Sequence, residues 1–117
     1  MKRLALLAGL LAAPVQAQQV EPASGAVLRA LDKFSGQVVD ITMETGRVAT
    51  FGRLSIALRE CRYPAGNPAG NAYASVQIGE EGRDGLVFAG WMIASSPALS
   101  AMEHPRYDVW VMRCTTS

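Results

Sequence analysis

His104 is the only histidine in the chain, and imidazole is the side chain most often used for proton transfer near neutral pH. Ser95, Ser96 and Ser100 lie just before it and Asp108 just after it. Nucleophile, base and orienting acid for acyl transfer are therefore present as letters. Such triads are defined by geometry, and short separations along one chain seldom produce it. Neither a GxSxG elbow nor an SxxK pair occurs. The plainer reading makes Ser96 a helix cap, Pro97 the first helical residue and His104-Pro105 the turn into a last strand. A small hydrolase using His104 stands as an alternative, and no catalytic residue is assigned.

Cys61 and Cys114 are the two cysteines. Their spacing rules out a CxxC redox pair. The N-terminus, MKRLALLAGLLAAPVQAQ, sets their compartment: Lys2 and Arg3 precede an apolar run from Leu4 to Val15, then the small-x-small pattern Val15-Gln16-Ala17. That is a secretory signal peptide cut after Ala17, too short to span a bilayer as an anchor. In an oxidising periplasm Cys61 and Cys114 should form a disulfide. Closing residues 61–114 into a loop is worth about 4 kcal/mol in the chain-entropy picture. Oxidised thiols cannot ligate, so no metal site is expected at His104 and the cysteines, and no cofactor is implied.

Other groups carry weaker signals. Glu80, Glu81 and Asp84 offer oxygen ligands but lack EF-hand spacing, and read as a solvated hairpin tip. Asp108 alternates with Trp110 on one face of a strand. If buried it needs a cation, with Arg53, Arg59 and Arg113 as candidates. Trp91 and Trp110 could form a carbohydrate or cell-wall platform, though in so small a domain large aromatics are more often core. Beyond the signal the chain holds nine basic and ten acidic residues, a net charge of −1, with eight arginines to one lysine. That balance offers no nucleic-acid surface, and arginine suits protein contacts. No later apolar run is long enough for a transmembrane helix.

These groups must be held by strands. Residues 18–25 read as a flexible leader. AVLRAL, QVVDITM, VATFG, LSIALREC, AYASVQI, LVFAGWMI and YDVWVMRC follow, separated by turns rich in glycine, proline and asparagine. Val39, Ile41 and Met43 share one face, as do Leu54, Ile56 and Leu58. The alternation slips at Glu60-Cys61, so a bulge near Arg59 or Glu60 is expected if Cys61 points inward. LVFAGWMI is apolar on both faces and reads as a central strand. Only residues 97–102 suit a helix, bounded by Pro105. The fold class is mainly β: a small antiparallel barrel or sandwich of about six or seven strands with one short helix, a single domain over residues 26–117.

The strings GWMIASSPALSAMEHPRYDVWV and ALDKFSGQVVDITMETGRVATFGRLSIALREC resemble the domain of unknown function 2155 family, over Ala26 to Cys114. Both cysteines fall where the family pattern has them. The resemblance implies an exported alphaproteobacterial domain with no assigned enzymatic activity. Proximity of family genes to one for an accessory subunit of respiratory complex I implies a partner in a respiratory membrane complex. The combined expectation is a non-catalytic periplasmic accessory domain of an envelope protein assembly. Its contact surface would lie around Trp91, Ser96, Leu99, His104 and Tyr107.

Overall fold

The computed structural model describes residues 19–100 and 102–116, without the side chains of Leu99 and Ser100. Residues 1–18, where a signal peptide is expected, lie outside the described residues. Eight antiparallel strands run in the order β1 (Val20–Pro22), β2 (Gly25–Asp32), β3 (Val38–Glu44), β4 (Val48–Phe51), β5 (Leu54–Pro64), β6 (Tyr73–Glu80), β7 (Leu86–Ile93) and β8 (Tyr107–Thr115). Among the described residues, one 3-10 turn, Pro97–Ser100, starts where Pro97 predicts a helix. The larger sheet is ordered β1-β5-β6-β7, with β4 also paired to β5; the smaller is β3-β2-β8. The arrangement is a sandwich and not a closed barrel.

The first strand is a correction. Residues 18–25 were expected to be a flexible leader, yet Val20, Glu21 and Pro22 pair with Pro64, Tyr63 and Arg62. The Ala23 amide then donates to the Cys61 carbonyl at 2.7 Å. Pairing here is made by backbone, which leaves no apolar alternation to read, and proline is tolerated because β1 is an edge.

Leu54, Ile56 and Leu58 of β5, Val76 and Ile78 of β6 and Met92 of β7 pack against Leu28 of β2 and Tyr107 and Val111 of β8. Each such side chain contributes about 1.5–3 kcal/mol by leaving water. Met43 is buried and Val39 and Ile41 line the same core, as their alternation predicts.

Both cysteine-bearing strands carry a bulge two residues before the sulfur. In β5, Leu58 faces Val76 and Glu60 faces Ser75, so Arg59 is the extra residue. In β8, Val111 faces Leu28 and Arg113 faces Val27, so Met112 is the extra residue. Simple alternation places Cys114 on the face opposite Val111; the Met112 bulge turns it inward. Cys61 and Cys114 are therefore both buried, and their disulfide joins the two sheets with Cα atoms 5.7 Å apart.

LVFAGWMI is not a central strand. β7 is the edge of the larger sheet, with Leu86 and Trp91 exposed. The doubly buried strand is β2, between β3 and β8, where even Val27 on the outer face is covered. An apolar run alone does not say which strand receives neighbours on both edges. Among the described residues, no helix is long and apolar enough to cross a membrane.

Candidate functional site

The stretch richest in chemical groups, residues 95–108, crosses from β7 in one sheet to β8 in the other. Its polar side chains hold that crossover in place. His104 Nδ1 accepts the backbone amides of Arg106 at 3.0 Å and Tyr107 at 3.2 Å. The ring proton therefore sits on Nε2, which donates to Glu80 Oε1 at 2.9 Å. The Lys33 ammonium donates to the His104 carbonyl at 2.8 Å. The His104 side chain is only 5% exposed. The hydrogen bond from His104, aided by Arg83, holds the Glu80 carboxyl below the usual glutamate range against its partial burial.

Arg106 and Tyr107 complete the anchor. Arg106 grips the Asp32 carboxylate, with Nη2 to Oδ2 at 2.9 Å and Nε 3.2 Å from both oxygens. Asp32 Oδ1 also accepts the amides of Phe34 at 2.9 Å and Ser35 at 3.3 Å, forming the β2–β3 turn. The Arg106 hydrogen bond is the main cause that pulls the Asp32 pKa down to about 2. The Arg106 guanidinium lies 5.3 Å from the Phe34 ring and 5.1 Å from the Tyr107 ring. Tyr107 is fully buried, edge-on to Phe51 at 5.9 Å, and its hydroxyl accepts the Arg53 amide at 3.1 Å. Gly52 lies beneath it at φ +57°, where a Cβ would collide with the phenol.

The sequence-derived groupings change accordingly. Among the described residues no Ser-His-Asp group is assembled: Asp108 faces Lys33 at 3.4 Å, Ser95 Oγ accepts from Asn71 Nδ2 at 2.9 Å, and the Ser100 side chain lies outside the described residues. Asp108 is half-exposed and its partner is a lysine, not Arg53, Arg59 or Arg113; outward parity, shared with Trp110, removes the need for a buried arginine. The acidic turn is not a freely solvated tip: Glu80 binds His104 and Arg83, and Glu81 pairs with Arg53 at 3.2 Å. No group of three metal-ligating side chains occurs among the described residues.

Trp91, Ser96, Leu99, His104 and Tyr107 do not make one surface. Tyr107 opens β8 on its inward parity and His104 is consumed by the turn, so both are buried. Ser96 is half-buried and the Leu99 side chain lies outside the described residues. Among the described members Trp91 is the most exposed, at 42%.

Around Trp91 the outer face of the larger sheet forms ordered rows. Arg62, Tyr73 and Ile93 stand in register across β5, β6 and β7; Glu60, Ser75 and Trp91 form the next row, then Ala57, Gln77 and Ala89. All point away from the core because Cys61, Ala74 and Met92, between them in sequence, point inward. Arg62 Nε donates to Glu60 Oε1 at 2.9 Å while its guanidinium lies 5.5 Å from the Trp91 ring. Val20, Arg62, Tyr73, Trp91 and Ile93 line a groove of about 250 Å³. Tyr73 Oη accepts from Asn71 Nδ2 at 3.3 Å. Trp110 lies on the opposite side of the sandwich, half-buried on the outer face of the smaller sheet, so the two indoles do not form a joint platform.

Arg62 and Tyr73 carried no sequence signal of their own, since one sits past a bulge and the other begins a strand of small residues. Asp32, Arg106 and Asn71 are likewise recognised only by their partners.

The fold and its clamps define a small disulfide-bridged β-sandwich with one aromatic outer face. The chain belongs to the bacterial family described as an uncharacterized protein conserved in bacteria (DUF2155), which matches residues 26–114. It is also similar to an uncharacterized protein of Rickettsia prowazekii (strain Madrid E), 32% identical over 90 residues, 73% of this chain and 57% of the relative. The chain thus spans little more than half the length of that relative. No solved structure matches.

Proposed function

We propose that this protein is a non-catalytic periplasmic binding domain, an accessory part of an envelope protein assembly, which works through the outer face of its larger sheet. The observation that carries this reading is the exposure of Trp91 on an ordered row of side chains at a sheet edge. A buried tryptophan would contribute more to stability, and exposed tryptophan and arginine are the residues that most often anchor a partner. The export pattern at the N-terminus and the disulfide support the location. The family gene association favours a respiratory membrane complex as the assembly.

The hydrolase alternative has less support, because both His104 nitrogens are spent on Arg106, Tyr107 and Glu80. A photo-crosslinking amino acid at Ala89, exposed beside Trp91, tests the reading in native envelopes. The expected outcome is a discrete protein adduct that disappears when Trp91→Ala is added. Adducts unchanged by Trp91→Ala, or none with protein, would remove this face from the function.

A further inference from the structure

We infer that Asp84 and Gly85, in the β6–β7 turn, form a site of spontaneous backbone modification: the aspartate cyclises onto the following amide and reopens as an isoaspartyl link. The chain has four aspartates, and the fold restrains three of them. Asp32 is gripped by Arg106 and accepts the amides of Phe34 and Ser35. Asp40 is held by two hydrogen bonds from Arg29, at 2.7 and 3.0 Å. Asp108 faces Lys33. Asp40 and Asp108 also lie within strands and precede the β-branched residues Ile41 and Val109, which crowd the amide that would have to attack. The two asparagines are blocked in other ways. Asn67 precedes Pro68, which has no amide proton to lose. The Asn71 side chain is spent on Ser95 and Ala72. Asp84 is exposed, has no hydrogen-bond or ion-pair partner among the described residues, and precedes a glycine.

The nucleophile is equally free. The turn is tied by the Glu81 amide to the Arg53 carbonyl at 2.8 Å and by the Arg83 amide to the Glu80 carbonyl at 3.1 Å. Beyond Arg83, neither Asp84 nor Gly85 donates a backbone hydrogen bond among the described residues. Gly85 stands at φ +76° with open space where a side chain would be, so nothing shields its nitrogen. In the reaction that nitrogen gives up its proton and bonds to Asp84 Cγ, while one carboxyl oxygen leaves as water. A five-membered succinimide results. Water then adds to either ring carbonyl. Breaking the N–Cγ bond restores aspartate. Breaking the bond from nitrogen to the main-chain carbonyl carbon routes the chain through Cγ, one carbon longer, with the α-carboxylate free. Water is the sole co-reactant. The added carbon enters just before Leu86, where β7 already carries an extra residue, Val87, against β6. It also follows Arg83, whose guanidinium holds Glu80, the acceptor of His104. Ageing of this turn therefore acts on the anchor of the β7–β8 crossover.

The test stores the folded, disulfide-intact chain for weeks in mildly acidic to neutral buffer, well below its melting temperature. Samples are labelled with an isoaspartyl methyltransferase and tritiated S-adenosylmethionine, which mark free α-carboxylates of isoaspartate, and the label is mapped by proteolysis and mass spectrometry. The expected result is label that grows with time in the peptide containing Asp84-Gly85, preceded by a species lighter by one water. Asp84→Glu should abolish it, because the longer side chain must close a larger ring, and should leave the melting temperature unchanged, because the carboxylate has no partner to lose. Label no higher than in Asp84→Glu overturns the proposal. Label spread equally over Asp32, Asp40 and Asp108 overturns it too, since the restraints on those three would then be irrelevant. Label that appears only in urea-unfolded chain also overturns it, because the native turn would then prevent ring closure.

Discussion

At the residue scale, the polar groups near the crossover act as fasteners, and their removal should be read in stability. Asp32 has its pKa lowered from 3.8 to about 2 in the folded protein, chiefly by Arg106. The folded state therefore binds the proton less readily than the unfolded chain. Its stabilisation is fully present above about pH 4 and is lost as pH falls toward 2. Melting temperatures of wild type and Asp32→Asn, measured from pH 7 to pH 2, should converge at the acid end. Parallel curves would remove Asp32 from the acid response. His104→Ala leaves two backbone amides without their acceptor and the Glu80 carboxylate with Arg83 alone, and a lost buried hydrogen-bonding group costs about 1–3 kcal/mol each. Denaturant titration should show a loss in that range or above it. Unchanged stability together with lost turnover on some substrate would return His104 to catalysis.

At the element scale, the strand pattern was legible in the sequence and the neighbours of each strand were not. The alternation of Leu54, Ile56 and Leu58 marked the inner face of β5, and the slip at Glu60-Cys61 marked its bulge. The second bulge, at Met112, carries the same mark, since Cys114 stands three residues after inward-facing Val111 as Cys61 does after Leu58. β7 misled because its apolar outer face serves the surface and not the core. β1 was silent because backbone pairing has no side-chain signature. The candidate face was legible only at Trp91; Arg62 and Tyr73 joined it through register across three strands. The Gly52 turn is a further element-scale constraint, since positive φ and the Tyr107 ring both exclude a side chain. Gly52→Ala should lower the melting temperature by several degrees, and Tyr107→Phe should not restore it, because the ring itself and the backbone angle remain. Recovery in the double variant would place the whole cost on the hydroxyl.

At the scale of the whole molecule, the disulfide is the covalent joint between layers that share a modest core. Reduction, or the Cys61→Ala/Cys114→Ala pair, should cost about 2–5 kcal/mol, visible as a large drop in the denaturation midpoint. The Trp91 face should be indifferent to this in wild-type conditions, since its rows belong wholly to the larger sheet. Recognition and durability are thus carried by different parts of the molecule: Trp91→Ala should spare the melting temperature, and loss of the disulfide should not.

The order of the smaller sheet also sets a kinetic rule. β2, near the start of the domain, is completed by β8, near the end of the described chain. Contacts so distant in sequence are slow to form, because nearly the whole chain must be drawn together before they contribute. A polypeptide with that wiring completes its smaller sheet only when its last strand arrives.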